Sequence, residues 1–338
     1  MSRTHSTHVN EQRSPWRRAA AAAPTVFFRY GIVVGFLLLC VYFGIFTEEH
    51  RFLSRANLIN VANQISINMI LAVGMTFVII TAGIDLSVGA VLAFCGVLGS
   101  LAMVRLVGSG AAPSLASAAG VATGVVAGSA CGTISGALVA LAGLPPFIAT
   151  LGMMLIARGA GFLLCAGRPV APLPAAFTAI GQSPEQLVPA PVYIMGGIFL
   201  LAHVILRHHS FGRYVYAVGG NAEAARLSGV PVRRILVAVY ALTGALSGLA
   251  GMILASKLGS GDPKSGMMYE LDAIAAVVLG GTSLMGGRGS VAATLIGALI
   301  IGVLNNGLSL MKVDQYWQWV LKGLVIIGAV LLDRVKRE

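Results

Sequence analysis

The first residues that could do chemistry lie in TAGIDLSVGA, residues 81–90, where Asp85 and Ser87 interrupt two long apolar stretches. A charged side chain at the centre of a membrane helix costs about 2.5–3.5 kcal/mol and is normally compensated. One interpretation is that Asp85 caps the start of the next helix. The other is that Asp85 and Ser87 lie beside a translocation path, because interrupted helices line cavities in membrane proteins.

A second polar interruption follows in MYELDAIAAVVLGGTSLMGGRGS, residues 268–290. Glu270 and Asp272 open an apolar helix, where acidic side chains suit the positive end of the helix dipole. Five glycines then surround Thr282 and Ser283, whose hydroxyl groups would suit a path for an uncharged polyol. A plain flexible turn explains the same residues equally well.

Asn305 and Asn306 are further candidates for the path, because amide groups suit hydroxyl ligands. Hydrogen bonds between helices are the alternative use of these amides.

In a different part of the chain, glycines recur every four residues through the fourth apolar segment, at 120, 124, 128, 132 and 136. Such a ridge allows another helix to approach closely, either within one subunit, which we favour, or across a dimer face.

The charged insert at 207–234 separates two apolar stretches. It contains a Gly-Gly-Asn turn, after which Asn221 is a good N-cap and residues 222–227 are good helix formers. Gly229 should end that helix and Pro231 should prevent its return. The insert therefore predicts a short, exposed helix between two membrane helices.

Motifs for catalysis and cofactors are absent from the sequence. It has no G-x-x-x-x-G-K-[ST] loop for nucleotide, no H-E-x-x-H, and no recognisable nucleophile–base arrangement. The four cysteines each stand alone in an apolar run, which fits neither metal-ligand spacing nor a disulfide framework. We therefore expect no catalysis, no metal and no cofactor.

The elements that position these residues must be membrane helices. Of 338 residues, 57% are hydrophobic and 10% charged, with a mean hydropathy of +0.86. Soluble domains carry about 25% charged residues, so the simplest solvent for this chain is lipid. The net charge of +11 lies mainly in the tails and one interior loop, which favours a membrane protein over a nucleic-acid binder. The predicted fold class is an all-α, polytopic integral membrane protein.

About ten apolar segments can be counted, and the eighth is too short to span, which predicts a partial or re-entrant helix. They lie near 30–46, 58–82, 86–106, 114–141, 147–166, 190–206, 235–256, 272–285, 289–310 and 317–333. We expect a basic cytoplasmic tail at 1–29, one transmembrane domain at 30–333 and a cytoplasmic end at 334–338. Ten crossings also place the 207–234 insert in the cytoplasm, whereas the proline-rich loop at 167–189 lies outside.

Five segments, in order, resemble the ribose-type permease subunits of bacterial ATP-binding-cassette importers. They are AGIDLSVGAVLA, GGNAEAARLSGVPV, YELDAIAAVVLGGTSLMGGRGS, and the pair LIGALIIGVLNNGLSLM and YWQWVLKGLVIIGAVLLD. The resemblance covers roughly residues 58–333. It implies a monosaccharide permease of the bacterial inner membrane that binds no ATP itself. Its implied partners are a second permease subunit, which would make a homodimer, an ATP-binding subunit and a periplasmic sugar-binding protein.

The resemblance also implies that the insert contacts the ATPase. The coupling residues it indicates are Gly219, Gly220, Asn221, Glu223, Ala224, Ala225, Arg226, Leu227, Ser228 and Gly229. An ion-coupled secondary transporter is the alternative function. Such carriers bury ionisable residues along the path, and here we identify essentially Asp85. Branched-chain amino-acid permeases are more distant relatives.

Overall fold

The computed structural model describes residues 15–182 and 188–335 of the chain. The predicted tail residues before Pro15, and the last three residues of the predicted C-terminal end, lie outside the described residues. Helix α1 begins at Pro15, so the second half of the segment expected as a tail is helical and continues into the first apolar segment.

Within these ranges the chain forms thirteen α-helices and one 3₁₀ helix, Glu48–Leu53. The α-helices are α1 Pro15–Phe46, α2 Arg55–Ile80, α3 Val88–Gly108, α4 Pro113–Ala140, α5 Pro146–Leu164, α6 Ala175–Gly181, α7 Ala190–His208, α8 Ser210–Gly220, α9 Ala222–Leu227, α10 Val232–Leu258, α11 Tyr269–Leu279, α12 Val291–Leu310 and α13 Gln315–Val335.

Seven helices of the described chain are long and apolar enough to cross a membrane: α2, α3, α4, α5, α7, α10 and α12. The three other expected segments correspond to α1, α11 and α13. Helix α11 has only 11 residues, about 16 Å of helix, so it cannot span the roughly 30 Å hydrocarbon layer. The all-α, polytopic membrane class is therefore confirmed, with α11 as the predicted partial helix.

Helix α2 forms the centre of the bundle. From Ile65 to Ile80 its residues are almost all apolar, and nearly all are buried against α7, α10, α11 and α12. A helix that is apolar on every side is typical of a position surrounded by other helices. Because α2 has neighbours on most sides, an exposed polar group on α2 marks a side that no other helix of the described chain covers.

The glycine ridge of α4 packs against α10 within the same chain. A Cβ atom added to Gly132 would lie 2.8 Å from the carbonyl carbon of Tyr240, and one added to Gly128 would lie 3.0 Å from the Cα of Gly248. Only glycine allows the two backbones to approach this closely. The favoured interpretation, packing inside one subunit, is therefore confirmed, and the dimer-face interpretation of this ridge is wrong.

Two interrupted helices, α3 and α11, begin beside each other. The backbones of Gly89, at the start of α3, and Gly266, just before α11, are in contact. The loop before α11 is held by Arg158 of α5, whose Nη1 donates to the carbonyl oxygens of Pro263 at 2.9 Å and Ser265 at 2.7 Å. These bonds satisfy backbone groups that a continuous helix would otherwise pair.

The proline-rich loop at 167–189 does not span the bundle, as predicted. Its described part contains the short helix α6 and an isolated bridge between Val170 and Gly261. The hydroxyl of Ser256 on α10 accepts from the Gly181 amide at 2.8 Å and donates to the Phe177 carbonyl. The loop is thereby fixed at the end of the bundle away from α9, which we call the far end; the other end is the α9 end.

Candidate functional site: the α9 surface and the path residues

Helix α9 forms as the sequence predicts, from local signals. The Asn221 side chain accepts a hydrogen bond from the Ala224 amide at 2.9 Å, which is N-capping geometry. Gly229 adopts a φ of +82°, in the left-handed region, and the next amide, of Val230, donates to the Ala225 carbonyl at 3.0 Å. This arrangement is a glycine stop of the Schellman type. The helix is therefore fixed at both ends.

The prediction of a Gly-Gly-Asn turn is wrong for Gly219 and Gly220, which are helical. Gly219 and Gly220 are the last two residues of helix α8. The physical reason is a tertiary contact: a Cβ on Gly219 would lie 2.8 Å from the carbonyl carbon of Ile80 and 2.7 Å from the Gly287 nitrogen. Glycine here provides close approach to α2, not a turn conformation.

The outer surface of α9 combines an ion pair with an apolar side chain. Arg226 donates to the Glu223 carboxylate at 2.6 and 2.9 Å, with both side chains more than 60% exposed. The hydrogen bond to Arg226 lowers the pKa of Glu223, and the same bond raises the pKa of Arg226. Leu227 is 74% exposed beside this pair, whereas Ala225 is buried below it. The surface therefore presents an ion pair and one apolar side chain on a helix that is fixed at both ends.

The glycine-rich segment after α11 packs between α8 and the end of α2. The Gly287 amide donates to the Ile80 carbonyl at 2.9 Å, and the Tyr216 hydroxyl of α8 donates to the Gly289 carbonyl at 2.7 Å. Within the segment, the Ser283 amide donates to the Arg288 carbonyl at 3.0 Å. The segment is therefore an ordered turn at the α9 end.

Thr282 and Ser283, the path candidates of that segment, are both buried. The Ser283 hydroxyl accepts from the Met285 amide at 3.3 Å, so it helps to form the turn. The Thr282 hydroxyl oxygen has no hydrogen-bond partner among the described residues. Their role in a path stays a prediction.

Asp85 does not cap α3 as predicted. Its Oδ1 accepts from the Ser87 amide at 2.8 Å and from the Ser87 hydroxyl at 2.6 Å, and both residues are buried. The N-cap position belongs to Ser87, since the first helical residue is Val88. Asp85 lies two residues too early to reach the free amides inside the helix, so it stabilises the turn that precedes α3.

The two neighbouring asparagines of α12 differ. Asn306 and Asn57 of α2 exchange two side-chain hydrogen bonds, at 2.9 and 3.0 Å, which confirms the interhelical interpretation for Asn306. The buried Oδ1 of Asn305 has no hydrogen-bond partner in the described chain. Asn305 therefore remains a predicted path residue.

Sequence analysis missed Lys322, and it placed Glu270 and Asp272 only as acidic residues at the start of a helix. Lys322 of α13 forms a buried ion pair with Asp272 of α11 at 2.8 Å. A carboxylate oxygen of Glu270 is buried without a hydrogen-bond partner among described residues. Lys322 was visible as a lone charge in an apolar segment, and such a charge needs a partner inside the membrane.

Comparison with known proteins gives a consistent result. Residues 57–330 match the family model described as branched-chain amino acid transport system, permease component. The chain is 47% identical over 298 residues to the ribose import permease protein RbsC of Escherichia coli K12, covering 86% of this chain and 89% of that protein. It is 45% identical over 310 residues to RbsC of Bacillus subtilis 168, covering 91% and 93%. No solved structure matches.

A third relative carries a different sugar in its name. The D-allose transport system permease protein AlsC of Escherichia coli K12 is 36% identical over 307 residues, covering 91% of this chain and 92% of that protein. All three matches span most of both chains, so they concern the whole arrangement of helices and not one shared segment.

Proposed function

Since the chain belongs to the family described as the permease component of the branched-chain amino acid transport system, we propose that it is the permease subunit of an ATP-binding-cassette importer for a monosaccharide similar to ribose. The identity of 45–47% to ribose import permeases, over most of both chains, carries this proposal. The subunit would form the translocation pathway without chemistry on the sugar.

A branched-chain amino acid is the second candidate substrate, because the family description names it. A zwitterionic amino acid would need charged or strongly polar groups along its path. The relative that is 47% identical is named for ribose, and the relative that is 36% identical is named for D-allose. The sugar assignment is therefore preferred, and the family description is taken as the broader class.

The proposed coupling surface is formed by residues of α9 and of the chain on either side of it: Gly219, Gly220, Asn221, Glu223, Ala224, Ala225, Arg226, Leu227, Ser228 and Gly229. Its support is geometric: a short helix fixed at both ends, an exposed ion pair, and an exposed leucine. Gly219, near the end of α8 and just before α9, contacts the end of the central helix. A partner that displaces α9 would thus act on the membrane bundle itself.

The proposed orientation places the α9 end in the cytoplasm of a bacterial inner membrane, with both termini there. Basic residues concentrate in the 207–234 insert, as expected of a cytoplasmic loop. They are Arg207, Arg213, Arg226, Arg233 and Arg234. The proposed partners are an ATP-binding subunit at the α9 end, a periplasmic sugar-binding protein at the far end and a second permease subunit, most simply an identical copy.

The test is affinity purification of the tagged chain from its cells, with mass spectrometry of co-purifying proteins and parallel uptake of radiolabelled ribose. We expect a P-loop ATPase to co-purify, and we expect Glu223→Ala with Arg226→Ala to release it and to abolish ATP-driven uptake. The matched control is Glu48→Ala with Lys312→Ala, which removes another exposed ion pair at the far end.

Two results would contradict the proposal at different levels. Normal uptake by the Glu223→Ala and Arg226→Ala double variant would exclude α9 as the coupling surface. Uptake that survives ATP depletion but collapses with the proton gradient would favour the ion-coupled alternative. The buried Asp272–Lys322 pair and Glu270 would then become the residues to study, because such carriers use intramembrane ionisable groups.

A further inference from the structure

Helix α2 carries a row of amide side chains on one side of its first half. Asn60, Gln64 and Asn68 follow one another at intervals of four residues, which places them on the same side of a helix. Asn60 and Gln64 are exposed and Asn68 is half-buried. The next residues along the row, Leu71 and Met75, are fully buried. The row therefore begins open and ends in the closed centre of the bundle.

Most of this row lies at membrane depth. Ile80, where α2 ends, packs against α8 at the α9 end. With a rise of about 1.5 Å per residue, Asn60 lies roughly 30 Å from Ile80, Gln64 roughly 24 Å and Asn68 roughly 18 Å. The hydrocarbon layer is about 30 Å thick, so Gln64 and Asn68 fall inside it.

Two amide oxygens of this region lack a hydrogen-bond partner in the described chain. Asn63, adjacent to the row, and Asn68 each bury an amide oxygen that has no hydrogen-bond partner in the described chain. By contrast, Asn57 at the start of α2 pairs with Asn306, and the Thr76 and Thr294 hydroxyls, 2.8 Å apart, pair near the other end. Asn57 and Thr76 are thus satisfied by partners on α12, whereas the amide oxygens of Asn63 and Asn68 are not satisfied.

Lipid is a poor neighbour for such a row. An amide with no hydrogen-bond partner in hydrocarbon costs several kcal/mol, so exposed amides inside a membrane face water or another polar surface. The row also contains no charged residue, which makes it suited to neutral ligands. Amide groups both donate and accept hydrogen bonds, and sugar hydroxyl groups do the same.

We infer that Asn60, Asn63, Gln64 and Asn68, here named the amide face, line the far-end half of the translocation pathway and bind the hydroxyl groups of a neutral sugar. This inference rests on the proposed function. Asn305 on neighbouring α12 presents another unpartnered amide oxygen, and its level along the bundle is set by the adjacent Asn306–Asn57 pair. Leu71 and Met75 end the row, so the amide face is exposed toward the far end and buried toward α9.

Water access tests the location of the amide face. The four native cysteines are replaced by alanine, and single cysteines are placed at 60, 64, 68 and 71 in the full transporter in proteoliposomes. A charged methanethiosulfonate reagent, which reacts with thiolates in water, is added from the far-end side. The lipid control is Leu155→Cys, because Leu155 is 65% exposed in the middle of α5.

We expect rapid labelling at positions 60 and 64, slower labelling at 68, and negligible labelling at 71 and 155. Labelling at 64 and 68 that is no faster than at 155 would overturn the inference, because the amide face would then be covered by lipid or by a second copy of the chain. This result does not depend on which substrate the protein carries.

Sugar binding is tested with the near-isosteric apolar variants Gln64→Met and Asn68→Leu. We expect each to lower ribose uptake about tenfold at equal membrane abundance, as the loss of one or two hydrogen bonds to the sugar would. Leu155→Met is the control. Unchanged uptake in both amide variants would overturn the sugar-binding role. Failure of the parent transporter to take up ribose with ATP would instead reject the proposed function, and the labelling would still decide whether the amide face lines a water-filled path.

Discussion

Replacing Gly132 by alanine should separate α4 from α10. The added methyl group would lie 2.8 Å from the carbonyl carbon of Tyr240, whereas ordinary contacts of a Cβ atom begin near 3.4 Å. The shortfall is about 0.6 Å against this atom, and the obstacle is backbone, which cannot rotate away as a side chain does. The two helices must therefore move apart along the ridge.

The size of the effect follows from two opposing contributions. Alanine is a better helix former than glycine by about 1 kcal/mol. Overpacking a close contact costs about 1–3 kcal/mol, and a gap of 0.5–1 Å forfeits a quarter to a half of the dispersion attraction of the atoms that it separates. Because the obstacle is rigid, we expect the upper part of that range and a net loss of about 1–2 kcal/mol in the free energy of unfolding.

The assay is reversible unfolding of the purified protein in mixed micelles, titrated with sodium dodecyl sulfate and followed by circular dichroism. The matched control is Gly152→Ala on α5, where an added Cβ would meet nothing within 4 Å. We expect this control to be as stable as the parent or slightly more stable. Equal free energies of unfolding for the two variants would refute the conclusion that the ridge is a close helix contact.

Three further predictions use the same preparation. Lys322→Met should lower the free energy of unfolding by about 3–5 kcal/mol, because it leaves the buried Asp272 carboxylate without its partner. Adding Asp272→Leu should recover most of the loss. A single variant as stable as the double variant would contradict the ion pair. Gly219→Ala should destabilise the protein by about 1–3 kcal/mol through its contact with the end of α2, whereas Gly220→Ala, which meets nothing within 4 Å, should not; equal effects would argue against that contact. Asn221→Ala should destabilise α9 by about 1 kcal/mol, seen as faster amide hydrogen exchange in its first turn, and unchanged exchange would show that the cap is unimportant.

Helix α9 was predictable from sequence because its determinants are local. An asparagine before good helix formers, and glycine and proline after them, specify a start and an end without reference to the rest of the fold. The structure places the helix at Ala222–Leu227, the same residues that the sequence predicts. The glycine ridge of α4 was predictable for a similar reason, since its period of four is a property of one helix.

Features that depend on distant parts of the chain were not predictable. Gly219 looked like a turn residue, but it serves a contact with α2, and the sequence does not reveal that contact. Lys322 and Asp272 are 50 residues apart, so neither indicates the other. The amide face had a visible signal, an interval of four between Asn60, Gln64 and Asn68. It was missed because α2 reads as one apolar segment when only its average is considered.

Gly219, Ile80 and Gly287 meet through backbone atoms alone. Side chains at a joint absorb small displacements by changing rotamer, and here none intervenes. Helix α2 continues without a break from this joint to Arg55, about 39 Å at 1.5 Å per residue. We therefore expect α2 to move as one rigid body, with little displacement lost at its contact with α8. A movement of one ångström at α8 would then shift the opposite end of α2, beside Asn60, by nearly the same distance.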